Sequence, residues 1–400
     1  MNNARLPHLA APPAGRVRAI RATRLAGEAA KCEYDDLLPS THSPMVFIRP
    51  VSIADLEALL ELANQAGVGL TTLPKDRDLL RRRIRKSERS IEQIPDRPGG
   101  ESYLFVMVDA ESGKVVGASG IVSKVGGYEP FYAYRIEKIT LRNDLLKVRK
   151  EIPTLQLVRD HDGPAEIGSL FLSPDYRRTD NGRFLQLVRF LFVAQHREAF
   201  EQLVVSELRG AIDEHGRSPF WDAVGRHFFE IEFPEADHLS VVNKKFIADL
   251  MPTHPLYIPL LPEAAQKVIG MVHEQSRPAL KNLQAEGFSF NGMVDIFDAG
   301  ACIACSRDEI RTVRECLSAA VAEIADDSRA SPIHMIAGNG TEFRACMGRV
   351  EPSGAGVRIG RACARLLGIE TGQTICYSPL RPAAGAPASD PSVAAGRPNP

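Results

Sequence analysis

One stretch constrains the fold more than any other. Residues 166–172 (EIGSLFL) read as a buried strand, which passes Pro174 and a charged loop and enters a helix from about residue 182 to 200. Phe184, Leu187, Val188, Leu191 and Phe192 spread apolar side chains nearly all round that helix. A helix without a polar face has to be covered on every side, so it belongs inside a domain, between a sheet and further elements.

The flanking segments supply such a sheet. Residues 46–50 (VFIRP) read as a strand, Ser52 and Asp55 as a capping-box-like start, and Leu56, Leu59, Leu60 and Ala63 as one face of an amphipathic helix. Arg81, Arg82, Arg83, Arg85 and Lys86 lie in a second helical stretch whose acidic neighbours make it a solvated face rather than a nucleic-acid site. Residues 103–108 and 115–122 form a hairpin about Ser112-Gly113. A strand at 203–206, helices near 219–227 and 279–287, and a strand at 293–297 follow. From residue 306 the texture shifts to a helix at 309–324 and strands at 343–350 and 374–378, read as a small C-terminal domain. Alternating strands and helices with an early hairpin indicate a mixed α/β sheet.

The ends differ from the body. Up to Lys31 there are six basic residues and the single acid Glu28, and Met45 stands immediately before the first strand. Residues 1–44 therefore read as a disordered leader or a misassigned start, although an Arg-rich, acid-poor opening also mimics a transit peptide. Of the 19 residues 382–400, 13 are Pro, Ala or Gly, a composition that builds no core. The net charge of −1 excludes a chain-wide field for polyanions, so no nucleic-acid partner is expected, and no apolar run is long enough for a membrane span. Seven scattered cysteines suit a reducing cytoplasm.

The loop between strand and buried helix is the place for an anion. Backbone N–H groups at a helix start point outward, and the helix dipole favours negative charge there. Asn181 and Gly182 open the helix, and Arg177, Arg178 and Arg183 bring cations suited to a pyrophosphate.

The strand, the R-x-x-G-x-G-like loop and the helix resemble the acyl-CoA motif of the GCN5-related N-acyltransferases. In order, LFLSPDYR, NGRFL, ELRGAIDEHGRSPFWDAVGRHFF, FIADLMPTHPLY, AQKVIGMVHEQ, EGF and DIFDAG resemble the arginine N-succinyltransferases over about residues 45–300. GVRIGRACARLLGIETGQTICYSPL resembles the end of that family's C-terminal region. The resemblance implies an α/β fold with a mixed, mostly antiparallel sheet flanked by helices. It implies an acyltransferase domain at 45–305, an appended domain at 306–381 and transfer of succinyl from succinyl-CoA, a co-substrate rather than a bound cofactor, to the α-amino group of L-arginine. Ornithine as acceptor, or a sensor without catalysis, remain alternatives. A homo-oligomer or pairing with a related subunit is expected. One position departs from the motif: Asp180 stands where its first glycine falls, and is expected to turn toward solvent.

The family carries its proton donor in the segment that holds His273 here, and its succinyl-CoA contact at Leu170, whose backbone N–H suits a thioester carbonyl. A histidine titrating near neutrality can protonate the departing thiolate. Glu207, Arg209, Asp213 and Glu214 follow the next strand, where carboxylates suit the substrate guanidinium and an arginine suits a substrate carboxylate. Cys302-x-x-Cys305 has no partner motif at zinc spacing, so the cysteines are read as free thiols and no metal is expected.

Overall fold

The computed structural model describes residues 45–66, 72–177, 179–242, 245–326, 331–339 and 342–383. Expectations for 1–44, for Arg178 and for all but the first two residues of 382–400 fall outside them.

Strand β1 (Val46–Pro50) leads into helices α1 (Leu56–Gln65) and α2 (Arg77–Glu92). The hairpin β2 (Ser102–Asp109) and β3 (Val115–Val122) follows, and then a second, longer hairpin, β4 (Gly126–Asn143) and β5 (Val148–Asp162). β6 (Ala165–Leu172) runs into the buried helix α3 (Asn181–Gln195), and β7 (Leu203–Glu207) returns to the sheet. Short helices α4 (Pro219–Ala223), α5 (Arg226–Phe229), α6 (Phe233–Val242) and α7 (Lys245–Leu250) come next. After β8 (Leu256–Tyr257) come α8 (Glu263–Val268), α9 (Arg277–Ala285), β9 (Ser289–Val294) and β10 (Ala301–Ser306). The last part holds α10 (Arg311–Arg314), β11 (Leu317–Ala325), β12 (Ile333–Gly338), β13 (Ala345–Ser353), β14 (Gly356–Gly360), α11 (Arg361–Leu367) and β15 (Thr374–Pro379).

The main sheet runs β1-β2-β3-β6-β7-β10-β9-β4-β5-β8, antiparallel throughout except for the parallel pair β6/β7. The last strands close on themselves: β11 pairs β14, then β13, β12 and β15 follow in turn, and β15 pairs β11. This small barrel joins the main sheet where Cys346 of β13 lies opposite Phe47 of β1. α3 is buried on all sides, as its apolar circumference requires. Phe184, Leu187, Val188, Phe190, Leu191 and Phe192 pack with Ile48, Phe105 and Ile167 of the sheet and with Met335, Ala345 and Cys376 of the barrel. α1 and α2 cover the opposite face through Leu59, Leu80 and Ile84 against Leu104, Val106 and Ala118.

Some expectations need correction. Residues 317–324, read as the end of a helix, belong to strand β11, since barrel pairing on two sides outweighs the helix propensity of this Ala-rich segment. The strand expected at 293–297 begins at Ser289 and ends at Val294. Cys316 and Cys376 form a disulfide with Cα atoms 6.6 Å apart, so these two are not free thiols. Arg83 does not belong to a solvated face, as described below. The β4/β5 hairpin carried no expectation at all.

Candidate active site

β6 is paired along its length on one edge apart from one bulge, and barely paired on the other. Toward β3 its register runs from Val122 opposite Glu166 to Gly117 opposite Leu172, with one break between Ala118 and Gly120. Toward β7 the pairs are Ala165 with Val204 and Glu166 with Val205, after which the strands separate. The rest of β6 thus presents backbone polar groups to a wedge-shaped gap. Such groups need partners, and the geometry suits an extended ligand carrying amides.

The register break is a bulge at Ser169 and Leu170, and Ser169 has a left-handed backbone (φ 54°). For a residue with a Cβ that conformation needs support. Two groups supply it. Ser169 N–H donates to Thr72 Oγ1 (2.8 Å), and Ser169 Oγ donates to Thr72 O (2.8 Å). From the other face Arg189, 1% exposed, donates through Nη1 to Gly120 O and Gly168 O (3.1 Å each) and through Nε to Gln186 O (2.9 Å). Its guanidinium has carbonyl partners rather than a carboxylate, and burial pulls its pKa down to about 9. Leu170, the second residue of the bulge, is partly buried against the α3 core.

At the far end of β6 lies the expected anion loop. Arg177 packs over the Phe171 ring (5.5 Å) and donates through Nε to Leu172 O (2.8 Å). Asn181 is buried and donates through Nδ2 to Tyr176 O (3.3 Å), and Gly182 has only Leu172 Cδ2 near its missing Cβ, at 3.8 Å. Asp180 stays partly exposed at the surface and has a partner there. Its Oδ1 accepts from Arg381 Nη2 (2.7 Å), so a cation from just beyond β15 offsets the acid in the loop. Arg183 sits beside this pair. Burial and Arg381 lower its pKa, and its buried Nη1 has no hydrogen-bond partner among the described residues.

A second cluster lies beyond the end of β7. Glu207 is opposite Cys302 of β10, and Leu208 N–H donates to Ala301 O (3.0 Å). Asp298 then clamps the chain, accepting from Gly210 N (2.7 Å) and Gly300 N (2.8 Å). The packing leaves no room for side chains there: a Cβ on Gly300 would stand 2.0 Å from Leu208 O. The clamp holds Arg209, whose carbonyl accepts from His273 N–H (2.8 Å), while Gly270 N–H donates to Ala299 O (2.8 Å). His273 and Arg209 are thus neighbours, although far apart in sequence. Burial first, then the charges of Arg209 and Arg277, lower the His273 pKa, with Glu274 opposing. His273 Nδ1 accepts from Gln275 N (3.2 Å). Arg209 has its own pKa lowered by burial, and its Nε is without a hydrogen-bond partner among the described residues.

Asp213 and Glu214 follow in an exposed loop with partners of their own. Asp213 accepts from His215 N, Arg217 N and Arg217 Nε (2.9 Å each), closing its own exposed loop, and Glu214 is exposed beside His215. Cys302 and Cys305 are an odd number of residues apart on β10, and the second joins the α3-side core, so they do not converge on one ion. Trp221 is core, with Nε1 donating to Ile231 O (3.0 Å). Sequence reasoning missed Arg189, Arg381, Asp298 and Arg83. The spacing of Leu80, Ile84 and Ser87 was a usable signal for Arg83, because it puts that residue on the buried side of α2.

A wedge in a mixed sheet, beside a bulged strand that runs into a buried helix, is the architecture of the N-acyltransferase class. The family model described as "Arginine N-succinyltransferase beta subunit" matches residues 46–312, and that of its C-terminal domain matches 317–379. The chain belongs to this arginine N-succinyltransferase family. It is 47% identical over 272 residues to "Arginine N-succinyltransferase" of Yersinia pestis (strain Pestoides F), covering 68% of this chain and 77% of that one. It is 47% identical over 292 residues to "Arginine N-succinyltransferase subunit beta" of Pseudomonas aeruginosa, covering 72% and 85%. A solved structure described as arginine/ornithine succinyltransferase subunit AI from Pseudomonas aeruginosa superposes with TM-score 0.78 at 33% identity, over 85% of this chain and all of the other.

Proposed function

We propose that the chain transfers the succinyl group of succinyl-CoA to the α-amino group of L-arginine, a step of arginine catabolism. The observation that carries this is the half-unpaired β6 with its supported bulge, in a chain whose family takes its name from this reaction. In this reading the pantetheine arm lies along the open edge of β6. Its pyrophosphate sits at the 177–183 loop, with Arg177, Asn181 and Gly182 shaping the seat and Arg183 supplying charge. Arg178 belongs to the same proposal by its place in the loop. The thioester carbonyl accepts from Leu170 N–H, which favours the oxyanion as it forms.

The neutral amine attacks the thioester carbon, forming a C–N bond, and the C–S bond breaks. The amine nitrogen gives up a proton to solvent water, and His273 gives one to the CoA thiolate. Arg209, Glu207, Asp213 and Glu214 are assigned to the acceptor side, Arg209 being the one bonded to His273. Residues 45–305 are proposed as the acyl-transfer domain and 306–381 as an appended domain. A partnership with a like or related subunit and a cytoplasmic location are part of the same reading; among the described residues no helix is long and apolar enough to cross a membrane.

The test is thiol release on mixing the protein with succinyl-CoA and L-arginine, with L-ornithine as comparator. Arginine-dependent release is expected. Binding of succinyl-CoA without release by either amine would replace transfer with sensing.

A further inference from the structure

Arg83 is the exceptional cation of α2. Its neighbours Arg81 and Arg85 stay in solvent and pair with Asp78 and Glu88 of their own helix. Arg83 lies one turn from Leu80 and Ser87, on the side that packs against the sheet. From there it reaches a cleft lined by Thr72, Leu104, Glu166, Gly168 and Ser169. Arg83 Nη2 donates to Ser169 Oγ at 3.3 Å. The guanidinium is therefore next to the bulge and one residue from Leu170, on the face of the sheet opposite Arg189.

Burial lowers the Arg83 pKa, and the charge of Glu166 opposes that shift. A planar guanidinium carries a fork of N–H donors matched to a carboxylate, and a neutral hydroxyl at 3.3 Å uses little of it. Glu166 offsets a charge that burial would otherwise make costly before substrate arrives. Both proposed substrates carry a carboxylate a few bonds from the reacting atoms: the far end of the succinyl arm, and the α-carboxylate of the amino acid.

We propose that Arg83, in the cleft beside the β6 bulge, binds a substrate carboxylate and so selects for a carboxylate-bearing substrate. This rests on the acyl-transfer reading of the site. The fork orients the substrate next to the thioester carbon, which is where misplacement is most harmful to rate.

The experiment is equilibrium binding to the full chain and its Arg83→Met variant, using paired ligands with and without the carboxylate. Succinyl-CoA is compared with butyryl-CoA, and L-arginine, in the presence of CoA, with agmatine. A charge-assisted hydrogen bond predicts a loss of about 10- to 100-fold for one carboxylate ligand, with its analogue changed little. Loss confined to succinyl-CoA assigns the succinyl arm, and loss confined to L-arginine assigns the acceptor. Arg83→Lys, which keeps the charge and loses the fork, should weaken the same ligand to a smaller degree, and it serves if the Met variant does not fold. Equal weakening of both members of each pair, or no weakening at all, overturns the proposal. A wild-type chain that releases no thiol from succinyl-CoA fails the functional reading instead, and the binding comparison is scored separately.

Discussion

Two regions of this molecule bury guanidinium groups, and they treat them differently. At the junction of α9, α10 and β15, Arg311 (5% exposed) meets Glu286 (0% exposed). Nη2 and Nε donate to Glu286 Oε1 at 2.6 and 3.0 Å, and Nη1 donates to Glu315 Oε2 (3.0 Å) and Pro379 O (3.1 Å). Glu286 Oε2 also accepts from Thr312 N (2.7 Å), so both charges are satisfied internally. Around β6, by contrast, Arg189 is held by carbonyl oxygens, Arg83 leans on a hydroxyl, and Arg209 keeps an unpartnered Nε among the described residues. A closed ion pair fastens the barrel to the sheet, whereas cations held mainly by neutral groups shape the place where anionic substrates are proposed to bind. Arg189 is as buried as Arg311, while Arg83 and Arg209 are partly buried, and between the two fully buried arginines the kind of partner is the difference.

The sharpest way to break this contrast is at the junction. Glu286→Ala removes the fully buried carboxylate and leaves Arg311 only the partly exposed Glu315, which is expected to cost up to about 3–5 kcal/mol of unfolding free energy. Denaturant titration reads it, and a loss below about 1 kcal/mol, the range of exposed pairs, would place this pair with surface bridges.

Around β6 the expected losses are chiefly kinetic. Arg189→Met replaces a buried charge with an apolar side chain and leaves carbonyl acceptors short of a donor, a stability cost of about 1–3 kcal/mol. Without the donors to Gly120 O and Gly168 O the bulge loosens. Turnover should fall about 10- to 100-fold, of the order seen when a reacting geometry drifts by about 1 Å, with CoA affinity nearly unchanged. Parallel collapse of melting temperature and turnover would make Arg189 a fold residue only.

The smallest effect is a shift in pH dependence. In the proposed role His273 donates in its protonated form, and its pKa lies below the ordinary 6.5 through burial and the Arg209 charge. The donor is therefore lost as pH rises through that lowered value. Arg209→Met removes a cation, raises the His273 pKa, and should move the descending limb of the rate profile to higher pH. The limb should vanish in His273→Ala, with turnover reduced far more than CoA affinity. An unmoved limb in Arg209→Met would detach it from His273.

Much of the frame was legible from residue patterns. Period-2 and period-3.6 spacing placed β1, β2, β3, β6, β7, α1 and α3, because strand alternation and helix faces are local consequences of burial. The apolar circumference of α3 implied cover on every side, and the barrel and sheet provide it. β11 escaped because an Ala-rich segment has no strong strand signature until its neighbours pair with it. β4 and β5 escaped because long, exposed ribbons carry mixed composition, with Leu141, Leu145, Leu146 and Val148 left in solvent.

The sequence by itself determined which chemistry was on hand: a strand and buried helix around an anion loop, a histidine suited to proton transfer, and the family's ordered motifs. Only the tertiary structure decided which groups meet. The separation of β6 from β7, the bulge held by Thr72 and Arg189, the Arg381–Asp180 pair and the turn of Arg83 into the cleft all join residues distant along the chain. Local spacing reports which face a residue occupies. It does not report what stands opposite, because that depends on how whole elements pack.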